Sequence, residues 1–176
     1  MRQSTRLSTT DVAVLLHLLV HPDASYGDMA AMLGVGKATA HASVARLLRS
    51  GLAHAVGQSG VAAALGPAGE FLQYGAAYAF PAVTVPRARG IRTGFAAPVN
   101  ERLNAIDAFP MVWSSRLGTS LGMGVAPLVP RAPDISFRDP ALYRLLALVD
   151  VLRLGDARAR EVARAAILEA IASVAK

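Results

Sequence analysis

Residues 25–51 read SYGDMAAMLGVGKATAHASVARLLRSG, and this stretch decides the fold. Ser25 is placed to cap a helix, its hydroxyl accepting from the free amide of Asp28 while the Asp28 carboxylate sits at the positive helix end. The helix begins near Tyr26, and Met29, Met32 and Leu33 share one face at helical spacing. Gly34 is able to leave a helix in the left-handed conformation, so the turn is Gly34-Val35-Gly36 with Val35 facing inward. A second helix runs from Lys37 with Ala40, Val44, Leu47 and Leu48 as its buried face, and Gly51 stands where it stops. Ala30 and Ala40 are small enough to let the two helices cross closely.

A short helix, a tight turn and a longer helix is the layout of a helix-turn-helix unit, in which the amino end of the second helix enters the major groove of DNA. Here that end carries Lys37, Ala38, Thr39, His41 and Ala42, with Ser25, Tyr26 and Gly36 beside it at the helix starts. His41 is the candidate for reading base edges, because imidazole both donates and accepts hydrogen bonds. Arg46 and Arg49 follow as candidates for phosphate contact, together with Thr39 and the helix amides. The plainer reading of these groups is a solvated helix face; the turn, the spacing and the preceding helix favour DNA.

The flanks extend the unit. Ser8 and Asp11 form a second capping box, and Val12, Leu15, Leu16 and Leu19 make an apolar stripe that ends at His21-Pro22. After Gly51, Leu52 to Val56 is extended in character, Gly57-Gln58-Ser59-Gly60 is a turn, and Val61 to Leu65 returns as a partner strand. The order of helix, helix, turn, helix and hairpin over residues 7–65 resembles the winged helix-turn-helix domain of bacterial transcriptional regulators of the MarR or Lrp type. The resemblance is strongest over Leu33-Gly34-Val35-Gly36-Lys37-Ala38-Thr39 and Leu47 to Leu52. It implies duplex DNA binding through Lys37 to Arg49, with Gln58 and Ser59 at the wing tip. The tip holds no Arg or Lys, which leaves Arg2 and Arg6, or arginines farther along, to supply the contacts a basic wing would make.

Composition agrees with an anionic partner: the net charge is +6 and the pI is near 10.5. Residues 1–65 hold five basic and three acidic groups and the remainder thirteen and nine, so no basic tail carries the balance and binding needs a local patch. The absence of cysteine excludes disulfides, thiolate metal sites and a cysteine nucleophile, and agrees with a cytoplasmic location. The opening Met-Arg-Gln-Ser-Thr-Arg leads into an amphipathic helix rather than a signal segment, and the uncharged stretch Phe71 to Pro86 is too short to span a bilayer, so no membrane role is expected. With 53% hydrophobic residues, a surplus of apolar surface points to a subunit interface.

Pro67 to Ala79 reads as a linker helix or dimer contact with Phe71, Leu72, Tyr74 and Tyr78 as its apolar positions. From Phe80 to Pro133, seven prolines and many glycines give the texture of loop and short strand. Within it Arg87, Arg89 and Arg92 lie beside Gly90 and Gly94, a loop able to grip the phosphate of DNA or of a small effector. The more ordinary reading is a solvated loop pairing with Glu101 and Asp107. Trp113 with Met111 and Phe109 reads as a satellite core. Asp139 caps a helix with Pro140 in its first turn and Leu142, Leu145, Leu146, Val149 and Leu152 on one face. Gly155 stops it, and Asp156 caps a last helix with Val162, Ala166, Ile167, Ala170, Ile171 and Val174 as a stripe. This hairpin buries its stripes either on the preceding segment or across a two-fold axis that sets two recognition helices about 34 Å apart. The whole carboxyl half, from Tyr78-Ala79-Phe80-Pro81 through Arg87-Ala88-Arg89-Gly90 to Leu142-Tyr143 and Asp150-Val151-Leu152-Arg153, also resembles an uncharacterised family of bacterial winged-helix proteins, which implies no chemistry.

No catalytic constellation is visible. Ser114 and Ser115 lack a nucleophile-elbow context, and no phosphate-binding glycine loop appears. His17 and His21 have the spacing of two ligands for one metal, but no third ligand is evident nearby, so they read as surface histidines and no metal or cofactor is expected. The expected fold is mainly α with a small β wing: a winged helix-turn-helix domain over 1–65, a linker helix over 66–80, and a dimerisation, effector or partner-binding region over 81–176 ending in the helical hairpin. The expected function is a non-enzymatic, homodimeric DNA-binding repressor at an inverted repeat. The alternatives are an antitoxin-like protein whose carboxyl half binds a partner while the winged helix autoregulates its operon, and an effector sensor.

Overall fold

The computed structural model describes residues 6–98 and 110–174; Arg2, Glu101, Asp107 and Phe109 lie outside the described residues. The chain is mainly helical with some β structure. Helix α1 (Thr9–Val20) is followed by α2 (Tyr26–Leu33) and α3 (Lys37–Arg49), then by the antiparallel hairpin β1 (Ala53–Val56) and β2 (Gly60–Ala63). Both expected capping boxes form: Ser8 with Asp11 opens α1, and Ser25 with Asp28 opens α2. Gly34 closes α2 in the left-handed region at φ 67°, which only glycine adopts freely, and lets the chain reverse within two residues into α3.

A helical stretch then runs from α4 (Leu65–Glu70) through a π-turn (Phe71–Gly75) to α5 (Ala76–Ala79). Leu72 and Ala76 are buried, whereas Tyr74 and Tyr78 stand in solvent rather than in apolar contacts. The proline-rich segment is more ordered than its composition suggests. Strand β3 (Thr84–Thr93) is ten residues long and holds Arg87, Arg89 and Arg92, so the expected arginine loop is a strand. Its first part pairs antiparallel with β5 (Ser120–Val125), with a bulge between Val85 and Ala88, and its end pairs antiparallel with β4 (Met111–Ser114). Strands β4 and β5 pair in parallel and close a three-stranded barrel. So tight a closure requires glycine at its crossings: a Cβ on Gly90 would overlap the Trp113 carbonyl, and one on Gly118 the Gly90 backbone.

Helix α6 (Ala132–Arg138), α7 (Pro140–Leu154) and α8 (Ala157–Val174) complete the chain. The hairpin of α7 and α8 covers its apolar stripes within the chain, with α7 buried from Leu145 to Leu152 against α1, α5, α6 and α8. Helix α1 is likewise enclosed from Asp11 to Leu19, on one side by α2, α3 and β2 and on the other by α7 and α8. The one-sided stripe expected of α1 is therefore an all-round apolar surface, the pattern of a core helix. The hydrophobic core is continuous from Val12 to Ile171 and runs through all three expected regions.

A buried carboxylate ties the barrel to α7. Asp150 accepts hydrogen bonds from Thr93 Oγ1 and Trp113 Nε1, both at 2.7 Å, and pairs with Arg153 at 2.6 Å. Burial pushes its carboxyl up from the ordinary aspartate range, against the pull of Arg153 and the two donors. Trp113 thus belongs to the main core and supplies a hydrogen bond there, rather than forming a satellite. Tyr143 meets it edge to face and donates to the Arg92 carbonyl at 2.7 Å, with burial pushing its phenol up to about 12.

Candidate nucleic-acid interface

Helix α3 divides into two faces. Ala40, Ser43, Val44 and Leu47 are buried, and Lys37, Ala38, Thr39, His41, Ala42 and Arg49 are exposed. Leu48, expected on the buried face, is 38% exposed. Gly36 caps the amino end without a side-chain hydrogen bond, so no side chain of the cap competes for the first amides of the helix. Lys37 folds toward α2, close enough that a Cβ on Gly27 would lie 3.4 Å from its Cε.

The ring of His41 stacks on Tyr26, with centroids 3.6 Å apart and planes 15° from parallel. Tyr26 opens α2 and His41 lies one turn into α3, so the tight turn at Gly34 is what brings the rings face to face. Stacking fixes the imidazole plane, and the residue remains exposed. Beside it Asp28 accepts from the Ser25 hydroxyl at 2.6 Å and the Ser25 amide at 3.0 Å, and these bonds hold its carboxyl below the usual range. Ser25 is therefore occupied as a cap.

Arg46 is placed differently from the phosphate contact expected of it. Its guanidinium forms a two-pronged pair with Asp11, Nε to Oδ2 at 2.8 Å and Nη2 to Oδ1 at 2.7 Å, and also reaches Ser43. Asp11 is fully buried. Burial opposes its ionisation, but the bonds from Arg46, Ser43 and the Ser8 amide, with the Arg46 charge, outweigh this and hold the carboxyl below its ordinary value. Position 46 follows Ser43 by one turn and looks across to α1, so Arg46 clamps α3 to α1. Of the expected cationic contacts on α3, Lys37 and Arg49 stand at the exposed face.

The hairpin tip presents Gln58 and Ser59, exposed and uncharged, with His54 exposed on β1. Arg87, Arg89 and Arg92 are exposed on β3, where Arg92 Nε donates to Ser120 Oγ at 2.9 Å. They belong to the barrel, packed against α6 and α7, and do not line a loop.

A second polar cluster was missed. His17 is 2% exposed, not a surface group, and neither ring nitrogen has a hydrogen-bond partner. Desolvation lowers its pKa, with the neighbouring His21 acting in the same sense and the charges of Asp139 and Asp28 opposing. Leaving a buried donor and acceptor unmet costs about 1–3 kcal/mol for each group. The third group that the spacing of His17 and His21 lacked comes from Asp139, whose Oδ2 lies 2.6 Å from His21 Nε2 across 118 residues of sequence. Of the three, His17 and His21 line a cleft of about 590 Å³ between α1, α2 and the end of α6.

Among the described residues no helix is long and apolar enough to cross a membrane. No family model matches the chain, and no curated protein or solved structure was found to resemble it.

Proposed function

We propose that the chain is a sequence-specific DNA-binding regulator of the winged helix-turn-helix kind, acting in the cytoplasm as a homodimeric repressor at an inverted repeat. The observation that carries this reading is the Tyr26–His41 stack beside the open amino end of α3. A rotamer-rich side chain loses freedom when it binds a base, and an imidazole already held in plane loses less. Lys37, Thr39 and the first amides of α3 supply phosphate contacts, and His41 supplies readout. The uncharged hairpin tip makes the wing a shape-fitting rather than electrostatic element.

The test is a fluorescence-polarisation titration of the full chain with duplexes tiled over its own upstream region. Binding is expected to weaken steeply with salt, and His41→Ala to cost about 1–3 kcal/mol at the cognate site. Equal, weak affinity for every duplex at low salt rejects the reading.

A partner-binding reading draws on one observation. The barrel and the residue before it leave Leu117 (64%), Leu121 (57%) and Val83 (58%) exposed, apolar side chains that another protein could cover. Co-purification of a stoichiometric partner that is lost on Leu121→Asp supports it; an unaltered lone chain opposes it.

A further inference from the structure

The geometry points to a binding site for a divalent first-row transition cation, zinc above all, formed by His17, His21 and Asp139. One ligand atom from each residue lies within 4.8 Å of the others. Two imidazoles and one carboxylate are the donor set that such ions prefer, and calcium or magnesium would ask instead for a shell of oxygens. The site stands independently of the DNA-binding reading, since none of its residues lies on the exposed face of α3.

The local structure explains why these three meet. His17 and His21 are four apart at the end of α1, which puts both rings on one side of it. Asp139 caps α7, and its Oδ1 accepts from the Leu142 amide at 3.0 Å. That bond fixes the carboxylate so that Oδ2 is turned to His21. A carboxylate oxygen only accepts, so in the 2.6 Å contact with Oδ2 the proton is on His21 Nε2, which donates. An entering cation displaces the proton from Nε2, the ring keeping one proton on Nδ1, and binds Nε2 and Oδ2 together. Bond lengths of about 2.0–2.2 Å require those atoms to part from 2.6 Å to about 3.3 Å, a movement available to the His21 side chain, which is 44% exposed.

Two further observations point to a ligand rather than a self-contained pair. His17 is buried and both of its nitrogens are without a partner; a metal bond would satisfy the one that offers itself to the cluster. The cleft beside it admits an ion and leaves room for a fourth ligand, water included. Its charge favours a cation: Asp23 and Asp28 line it against the single positive charge of Arg138. Because α1 and α7 contribute ligands from opposite ends of the sequence, the bound ion would pin the amino-terminal helices to the carboxyl-terminal ones.

The full chain, stripped with chelator, is titrated with zinc chloride by calorimetry at neutral pH, and its melting is followed with and without the metal. Cobalt(II) serves as a spectroscopic probe of four-coordinate nitrogen and oxygen ligation. The expected result is one zinc per chain, a raised melting temperature and visible cobalt absorption, all weakened at least tenfold in affinity by His21→Ala and by Asp139→Asn. Asp139→Asn retains a capping oxygen for Leu142 and leaves no buried charge, so this metal-free variant should melt close to the parent chain and its loss of zinc is read apart from folding. Substoichiometric uptake, or zinc binding that neither variant changes, overturns the site.

Discussion

Replacing Arg46 by methionine would leave the Asp11 carboxylate buried without its counter-charge. That should destabilise the chain by about 3–5 kcal/mol, measured by urea unfolding. A phosphate-binding arginine would behave in another way: its loss would spare the fold and reduce the salt slope of DNA binding by about one. The two outcomes separate a clamp from a contact. The pair also sets a direction for acid sensitivity. Asp11 titrates lower in the folded chain than its unfolded value of 3.8, so its stabilisation is complete above that value and is lost as pH falls through the folded one. Unfolding free energies measured between pH 2.5 and 6 should therefore drop at the acid end in the parent chain. The drop should be smaller in Arg46→Met, where the bonds and charge of Arg46, which lower Asp11, are gone; parallel curves would show that Asp11 is not the group responsible.

At the scale of elements, the barrel depends on contacts that admit no side chain. Gly90→Ala should force β3 away from β4 and cost about 1–3 kcal/mol or more, whereas Gly66→Ala on α4, with open space around it, should be nearly neutral or slightly stabilising; thermal melts compare the two. The same glycines explain what could be read in advance. Ser8, Ser25 and Gly34 announce helix starts and stops because each acts on backbone within three residues of itself, and all three act as expected. The hairpin after α3 is legible for the same reason. Strand β3 is not, because Pro86 and Gly90 carry the composition of a loop while serving a bulge and a crossing that exist only once β4 and β5 are in place. The polar pairs are hidden likewise. Asp11 meets Arg46 across 35 residues, Asp150 meets Trp113 across 37 and His21 meets Asp139 across 118, and one sequence contains nothing that matches such partners. Asp11 and Asp139 each have a sufficient local role as caps, which conceals the distant one.

Across the whole molecule, the enclosure of α1 decides what can be cut away. Residues 1–65 hold every element of the proposed DNA-binding unit, but α7 and α8 cover one side of α1. A fragment ending at residue 65 should lack a cooperative thermal transition and expose apolar surface, seen as binding of a hydrophobic dye. A sharp melt from that fragment would show instead that its own core suffices. The enclosure has a further consequence in time. Some 120 residues separate Val20 from Pro140, which a ribosome adding roughly 5–20 residues per second needs on the order of 6–24 s to translate. For that interval the Leu-rich first helix is outside the tunnel with half its cover not yet made. A chain built this way is expected to lean on holding chaperones during its own synthesis, and slow codons between the barrel and α7 would lengthen the exposure.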